Sequence, residues 1–141
     1  MIIRLTMLII VCLIVGCSSL PDAVRNDAAV NTWLAQMTTG ERDDPFHHLR
    51  ILGYNEAVIY GEVSKVTADQ NMPDYVMRAL EFTKPQWVYR QYSESRFPVL
   101  GFGANTFTNQ PLPCVGQHWA VSATANAKGI WYIHNAKRIE P

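Results

Sequence analysis

The chain has 141 residues, and its 12 lysines and arginines balance its 12 aspartates and glutamates, giving a formal net charge of zero. Hydrophobic residues make up 48% of the chain, enough to bury a core in one domain without covalent staples. Proteins that bind nucleic acid through its phosphates need a basic surface, and this sequence has no long basic run. The composition therefore argues against nucleic acid as a partner.

The first seventeen residues have a pattern of their own. Arg4 precedes a largely apolar run at residues 5–15, and the small residue Gly16 comes directly before Cys17. As a helix this run would cover about 16 Å, roughly half of a bilayer's hydrocarbon layer, so it is too short to span a membrane. Residues 13–17 resemble the lipobox of bacterial lipoproteins.

The resemblance implies a processed and lipidated protein. Residues 1–16 would be a cleaved signal peptide, Cys17 would carry a diacylglyceryl group on sulfur and an acyl chain such as palmitate on its amino group, and residues 17–21 would be a tether. Ser18 is similar to the outer-membrane sorting pattern of Gram-negative bacteria, which implies a lipid anchor in the outer membrane, on either its periplasmic or its surface side. Loss of Arg4 would leave 11 basic against 12 acidic residues, a net charge of −1.

The cysteines predict a fold without an internal disulfide. Cys12 would leave with the leader and Cys17 would be lipidated, so Cys114 would stand alone in an oxidising compartment. The favoured expectation for Cys114 is a small buried hydrophobic residue, and the alternatives are an intermolecular disulfide or a reactive thiol.

Residues 22–39 are predicted to form one amphipathic helix. Val30, Trp33, Leu34 and Met37 follow the i, i+3, i+4, i+7 spacing of an apolar stripe, and Gly40 can end the helix.

The following connector, residues 41–53, contains side chains of the kind that bind metals: Asp43, Asp44, His47 and His48. Their spacing matches no zinc motif. We therefore predict a solvated loop and neither a metal nor a cofactor.

Residues 56–67 are rich in β-branched and aromatic side chains and predict a strand. Gly61 in its middle predicts a bend or a close backbone approach. A turn is expected at residues 69–73.

Residues 75–82 fit a helix, but they also fit a hairpin with residues 87–93 across the turn at 83–86. The hairpin is the favoured interpretation, and it would set Arg78 opposite Gln91.

The last segment predicts a second hairpin after a short strand at 99–102 and a proline-rich loop. Residues 118–125 and 130–139 are its strands, joined by a turn that ends at Gly129. The predicted register sets Val121 opposite His134, so that Trp119, Tyr132 and His134 share one face. This face is the candidate ligand-binding face, unless the apolar stripe of the helix covers it.

These elements predict one globular α+β domain at residues 22–141, in which the helix packs on an antiparallel sheet of five or six strands. In element order the chain resembles the nuclear-transport-factor-2-like and cystatin-like rolls. A small OB-like β-barrel is the structural alternative.

Three functional classes follow. The favoured class is a non-catalytic, lipid-anchored envelope module that binds another envelope protein, as an accessory subunit of an assembly or as a protective inhibitor. The second is a small-ligand carrier. The third is an enzyme, for which Cys114, His118 and His134 would be the nearest approach to a thiol with a base; nothing fixes their geometry, and no catalytic residue is predicted.

Overall fold

The structure is a computed structural model, and it describes residues 20–39, 55–68, 78–91, 96–103, 105–107, 109–125 and 129–141. In chain order the elements are the helices α1 (Asp22–Arg25) and α2 (Ala28–Thr39) and the strands β1 (Asn55–Thr67), β2 (Arg78–Arg90), β3 (Leu100–Phe102), β4 (His118–Ala125) and β5 (Trp131–Arg138). The predicted leader, Cys17, the connector at 41–53 with Asp43, Asp44, His47 and His48, and the turn at 69–73 lie outside the described residues.

The five strands close into a barrel with the neighbour order β1-β2-β3-β5-β4. β1 pairs antiparallel with both β2 and β4, while β3 pairs parallel with β5. The small barrel that we gave as the alternative fits this architecture. The favoured expectation, a helix packed on an antiparallel sheet of five or six strands, holds only in part: α2 packs on the strands, but the sheet closes on itself and its β3–β5 pair is parallel.

β1 is buried on both of its faces. Successive side chains of a strand point to opposite sides, and Ala57, Ile59 and Val63 point into the barrel while Val58 and Tyr60 point outward beneath the helices. The barrel interior is filled by one buried cluster: Ala57, Ile59, Val63, Leu80, Leu100, Phe102, Phe107, Trp119, Val121, Ala123, Ala125, Trp131 and Ile133. The interior is therefore a packed core.

The apolar stripe of α2 forms the second core, outside the barrel. Val30, Trp33 and Met37 are buried, as predicted, and they belong to a cluster with Val58, Tyr60, Ala120 and Ile139. The single helix predicted over 22–39 is wrong, because the chain breaks between α1 and α2. The break has a local cause, since the Asp27 Oδ1 accepts a hydrogen bond from the Val30 amide (3.1 Å) and so caps α2.

Of the two features predicted at Gly61, a bend or a close backbone approach, the close approach is confirmed. The β1–β2 register shifts between Tyr60↔Gln86 and Glu62↔Thr83, so that β2 has extra residues opposite Gly61. A Cβ at Gly61 would lie 2.9 Å from the Phe82 Cβ and 3.2 Å from the Pro85 Cα. Only glycine allows the two strands to approach this closely.

The hairpin predicted across residues 83–86 is wrong. Residues 78–90 form one strand, and Arg78 and Gln91 lie at or beyond its opposite ends. In the sequence, residues 83–86 resemble a turn because they include Pro85. In the structure, Lys84 directly before it has a positive φ of 48°. Instead they form an irregular stretch within the strand that accommodates Gly61.

The β4–β5 hairpin forms with strand limits close to the prediction, but its register differs by one residue near the turn. Thr124 pairs with Tyr132 and Ala123 with Ile133, and a further shift between Ser122 and Ala123 sets Val121 opposite Ala136. A shift of one residue exchanges the two faces of a strand. The prediction that Trp119, Tyr132 and His134 share a face is therefore wrong.

The chain ends close to where the described residues begin. The Tyr60 hydroxyl donates to the Ile139 carbonyl (2.9 Å), and the Ile139 amide donates to the His118 carbonyl (3.0 Å). Pro21 and Pro141 line the same hollow as Tyr60 and His118. Within the described part of the chain, no helix is long and apolar enough to cross a membrane.

Replacing Gly61 with alanine should destabilise the barrel by about 1–3 kcal/mol, because the new methyl group overlaps Phe82 and the Pro85 backbone. Urea denaturation checks this. Gly103→Ala is the matched control, since nothing lies within 4 Å of a Cβ at that position. Equal losses for the two variants would contradict the proposed overlap.

Asp27 should stabilise the fold through its cap and through Lys137, whose Nζ lies 2.6 Å from Asp27 Oδ2. Burial alone would raise the pKa of Asp27, but hydrogen bonds from Lys137 and the Val30 amide outweigh it and lower the pKa below 3.8. Asp27→Ala should cost about 1 kcal/mol or more, whereas Asp27→Asn keeps a capping oxygen and should cost less.

The contribution of the charged Asp27 carboxylate to the free energy of unfolding should also depend on pH. Because folding lowers this pKa, its stabilisation is present above the ordinary value of 3.8 and is lost as the pH falls through the lower folded value. The difference in unfolding free energy between wild type and Asp27→Asn should therefore shrink below about pH 4. A constant difference down to about pH 2 would contradict this.

Candidate functional site

The structure separates the three residues of the predicted ligand-binding face. Trp119 is buried inside the barrel, whereas Tyr132 is 40% exposed and His134 lies with it on the outer side of β5. The alternative, that the helix covers all three, does not hold either, because α2 packs over Val58 and Ala120.

His134 takes part in a local polar contact. Its Nε2 lies 2.5 Å from the Oγ1 of Thr124, which is itself buried. His134 is exposed as a whole residue, but nearby protein atoms partly desolvate its ring, and this desolvation lowers the pKa of His134 below its usual value. The ring therefore favours the neutral form, which can share a hydrogen bond with a hydroxyl.

The thiol and the two histidines considered for catalysis make separate contacts. Cys114 is exposed, contrary to our expectation, and its sulfur lies 3.8 Å from the Leu112 carbonyl. His118 Nδ1 lies 2.9 Å from Glu140 Oε2, and hydrogen bonds from Arg138 and His118 lower the pKa of the Glu140 carboxyl to about 2. Among the described residues, no three metal-binding side chains are grouped so that they could hold an ion.

An apolar groove, which the sequence did not predict, opens at one side of the barrel. It has a volume of about 410 Å³ and lies between the segment that precedes β3 and the start of β5. We call it the seam groove, and it is lined by Arg96, Phe97, Pro98, Val99, Gly101, Gly129, Ile130 and Trp131. Phe97, Val99 and Ile130 are 40%, 53% and 39% exposed, so its walls present apolar surface to solvent.

The groove exists because the contact between β3 and β5 is short. β3 has three residues, and its parallel pairing with β5 consists of Leu100↔Trp131 and Gly101↔Tyr132. Before these pairs Pro98, which has no amide hydrogen to donate, precedes β3. The two chain segments therefore diverge there and form the opposite walls of the groove.

An aromatic cluster supports the wall that contains Phe97. The rings of Trp87 and Phe97 are stacked with centroids 4.7 Å apart, and Trp87 lies 6.2 Å from the buried ring of Trp131. Arg90 places its guanidinium 5.4 Å from the centre of the Trp87 ring. Aromatic stacking and the cation–π contact each contribute about 0.5–1.5 kcal/mol, so Phe97 is held in place although it is exposed.

Arg96, which is exposed, is the charged side chain that lines the seam groove among the described residues. Glu81 lines the adjoining hollow, which shares Phe97, Pro98 and Val99 with the groove. No acidic side chain lines the groove among the described residues. A ligand with an apolar group and a nearby negative charge would match this combination of surfaces.

Alanine at Phe97 and at Trp131 should affect stability very differently. Trp131 is 7% exposed, so Trp131→Ala should cost about 3–5 kcal/mol. Phe97→Ala removes a ring that is 40% exposed, and we expect a loss of at most about 1.5 kcal/mol. Denaturant unfolding of both variants tests this, and a loss of several kcal/mol for Phe97→Ala would show that the ring is structural.

No protein-family model, curated protein or solved structure matches this chain.

Proposed function

We propose that this protein is a lipid-anchored module of the bacterial outer membrane that binds an extended segment of another envelope protein in the seam groove. The anchor is Cys17, after removal of residues 1–16. The observation that carries the binding proposal is the exposed apolar groove of about 410 Å³ with Arg96 at its edge.

The chemistry of the groove indicates what the segment contains. Phe97, Val99 and Ile130 would bury an aliphatic or aromatic side chain, and each fully buried side chain of this size is worth about 1.5–3 kcal/mol. Arg96 would pair with a neighbouring carboxylate. The expected segment is therefore apolar, with an acidic residue beside it.

The position of the groove on the barrel supports a binding role by analogy. Small barrels of the OB type bind their ligands on the face of strands 2 and 3 and with the loop between strands 4 and 5. The seam groove is bounded by the β2–β3 connection and by Gly129 and Ile130, which follow β4. An analogy of fold does not identify the ligand, and the groove chemistry is the argument for a peptide.

A small apolar ligand is the second candidate. The groove volume lies within the range of about 300–1,000 Å³ that is typical of small-molecule sites. Native mass spectrometry of the protein extracted from membranes distinguishes the two candidates, because a carrier should retain a small ligand and a peptide-binding module should not.

The lipid anchor is tested first. Mass spectrometry of the amino-terminal peptide from the membrane fraction should show Cys17 with its acyl groups. Cys17→Ser should remain unprocessed and unacylated. An unmodified Cys17 in wild type would overturn the proposed location.

The binding site is tested with a photoreactive amino acid at Ile130 and, as a control, at Thr32, which lies on the exposed side of α2. We expect crosslinking to one envelope protein from position 130 alone, at a segment with the predicted composition. A synthetic peptide of that segment should bind wild type and lose affinity about tenfold or more with Val99→Asp, whose acidic group repels the peptide carboxylate. Equal crosslinking from both positions, or unchanged affinity, would overturn the proposal.

A further inference from the structure

The loop between β3 and β4 presents an uncharged, apolar tip. Leu112 is 43% exposed, Val115 is 68% exposed, and Cys114 between them is exposed as well. The sequence contains no aspartate, glutamate, lysine or arginine at residues 97–117. Single exposed aliphatic residues are common on protein surfaces. Here two of them lie close together in a loop without charged residues, so moving them out of water does not require a charged group to be desolvated.

This tip is held in place by hydrogen bonds at its base. The Gly116 amide donates to the Val63 carbonyl (2.9 Å), and the Val63 amide donates to the Gln117 carbonyl (2.8 Å). The Gln117 side-chain oxygen accepts from the Cys114 amide (3.0 Å) and from the Trp119 indole (3.1 Å). The tip therefore loses little conformational freedom when it docks on another surface.

The position of the amino terminus indicates which surface that is. Pro21 lies in one hollow with His118 and Pro141. Cys17 is four residues before Pro21, and a chain of that length spans at most about 14 Å. Cys114 is likewise four residues before His118, so these two residues also lie at most about 14 Å apart. A membrane that holds Cys17 is therefore within reach of the part of the barrel from which the loop projects.

We propose that Leu112, Cys114 and Val115 contact the lipid surface in which Cys17 is anchored. The proposal rests on the lipid anchor of the proposed function. Two aliphatic side chains alone bind a bilayer weakly, but the anchor keeps them at a high local concentration beside it. The contact fixes the orientation of the barrel on the membrane.

The test uses the full processed chain in vesicles of phosphatidylethanolamine and phosphatidylglycerol. Cys114 is labelled through its thiol with an environment-sensitive fluorophore, and a fraction of the lipids carries a quencher at headgroup depth. We expect blue-shifted emission and quenching at least about twofold stronger than for the same label on Ile130→Cys in a Cys114→Ser background. Ile130 is a suitable control because it is 39% exposed and lies in the seam groove.

A second variant tests the aliphatic contacts themselves. Leu112→Ser combined with Val115→Ser should abolish the blue shift at labelled Cys114 and leave the melting temperature unchanged, because both side chains are exposed. Unchanged fluorescence in this variant, or equal quenching at Cys114 and at position 130, would overturn the membrane contact.

The labelling also separates this inference from the proposed function. The chain has three cysteines, and cleavage removes Cys12, so one label per chain means that Cys17 is blocked by lipid. One label without preferential quenching refutes the membrane contact while the anchor stands. More than one label per chain means that Cys17 is free, in which case the anchor fails and this inference fails with it.

Discussion

The barrel depends on the close approach of β1 and β2 at Gly61. A Cβ there would meet the Phe82 Cβ at 2.9 Å, so the missing side chain allows β1 to lie this close to β2 while Gly61 pairs with Trp119 of β4. The first part of β1 pairs with β4 through Glu62↔His118, and its last part continues along β2 to Thr67↔Ala79. A straight strand could not follow both neighbours around a small closed sheet, because closure requires the strands to tilt and coil.

β1 lies between β2 and β4 and is buried on both faces, so it contributes side chains to both hydrophobic cores. The inward side chains fill the barrel, and Val58 and Tyr60 require a cover on the outside, which α2 provides. Asp27, which caps α2, forms an ion pair with Lys137 of β5 and so ties the cover to the barrel. Beneath the cover, the buried Tyr60 hydroxyl donates to the Ile139 carbonyl. The seam between β3 and β5 has no such cover among the described residues, and the apolar groove lies there.

Local patterns predicted some of the elements, and pairing between distant elements limited the rest. The apolar stripe of α2, the limits of β4 and the close approach at Gly61 are all encoded within a few neighbouring residues, whereas the break between α1 and α2 and the unbroken strand β2 were not predicted. The predicted β4–β5 register was wrong because Ala125 pairs with Trp131 and not with Ile130, and that single step sets Trp119 on the opposite face from Tyr132. The hairpin predicted at residues 83–86 was wrong for a different reason. Residues such as Pro85 that favour a turn are also found at irregularities within a strand.

The seam groove shows the same limit more strongly. In the sequence, Phe97 is an apolar residue in a loop. In the structure its ring stacks on Trp87 of β2, which in turn lies near Trp131 of β5. No local spacing relates these three rings. The absence of charge at residues 97–117, by contrast, is visible in the sequence.

This uncharged segment contains both Phe97 and Val99 of the groove and Leu112 and Val115 of the loop tip. Between these two surfaces the segment forms β3, one of the barrel strands, in which Leu100 and Phe102 are buried. One short strand thus holds two exposed apolar surfaces at fixed positions on a rigid core. Arg96 comes directly before this segment and lines the groove, so a charge is tolerated at the edge of that surface. A charge at the loop tip would likewise cost little in the folded monomer, since Leu112 and Val115 are in contact with water. Folding alone therefore does not require the tip to be uncharged.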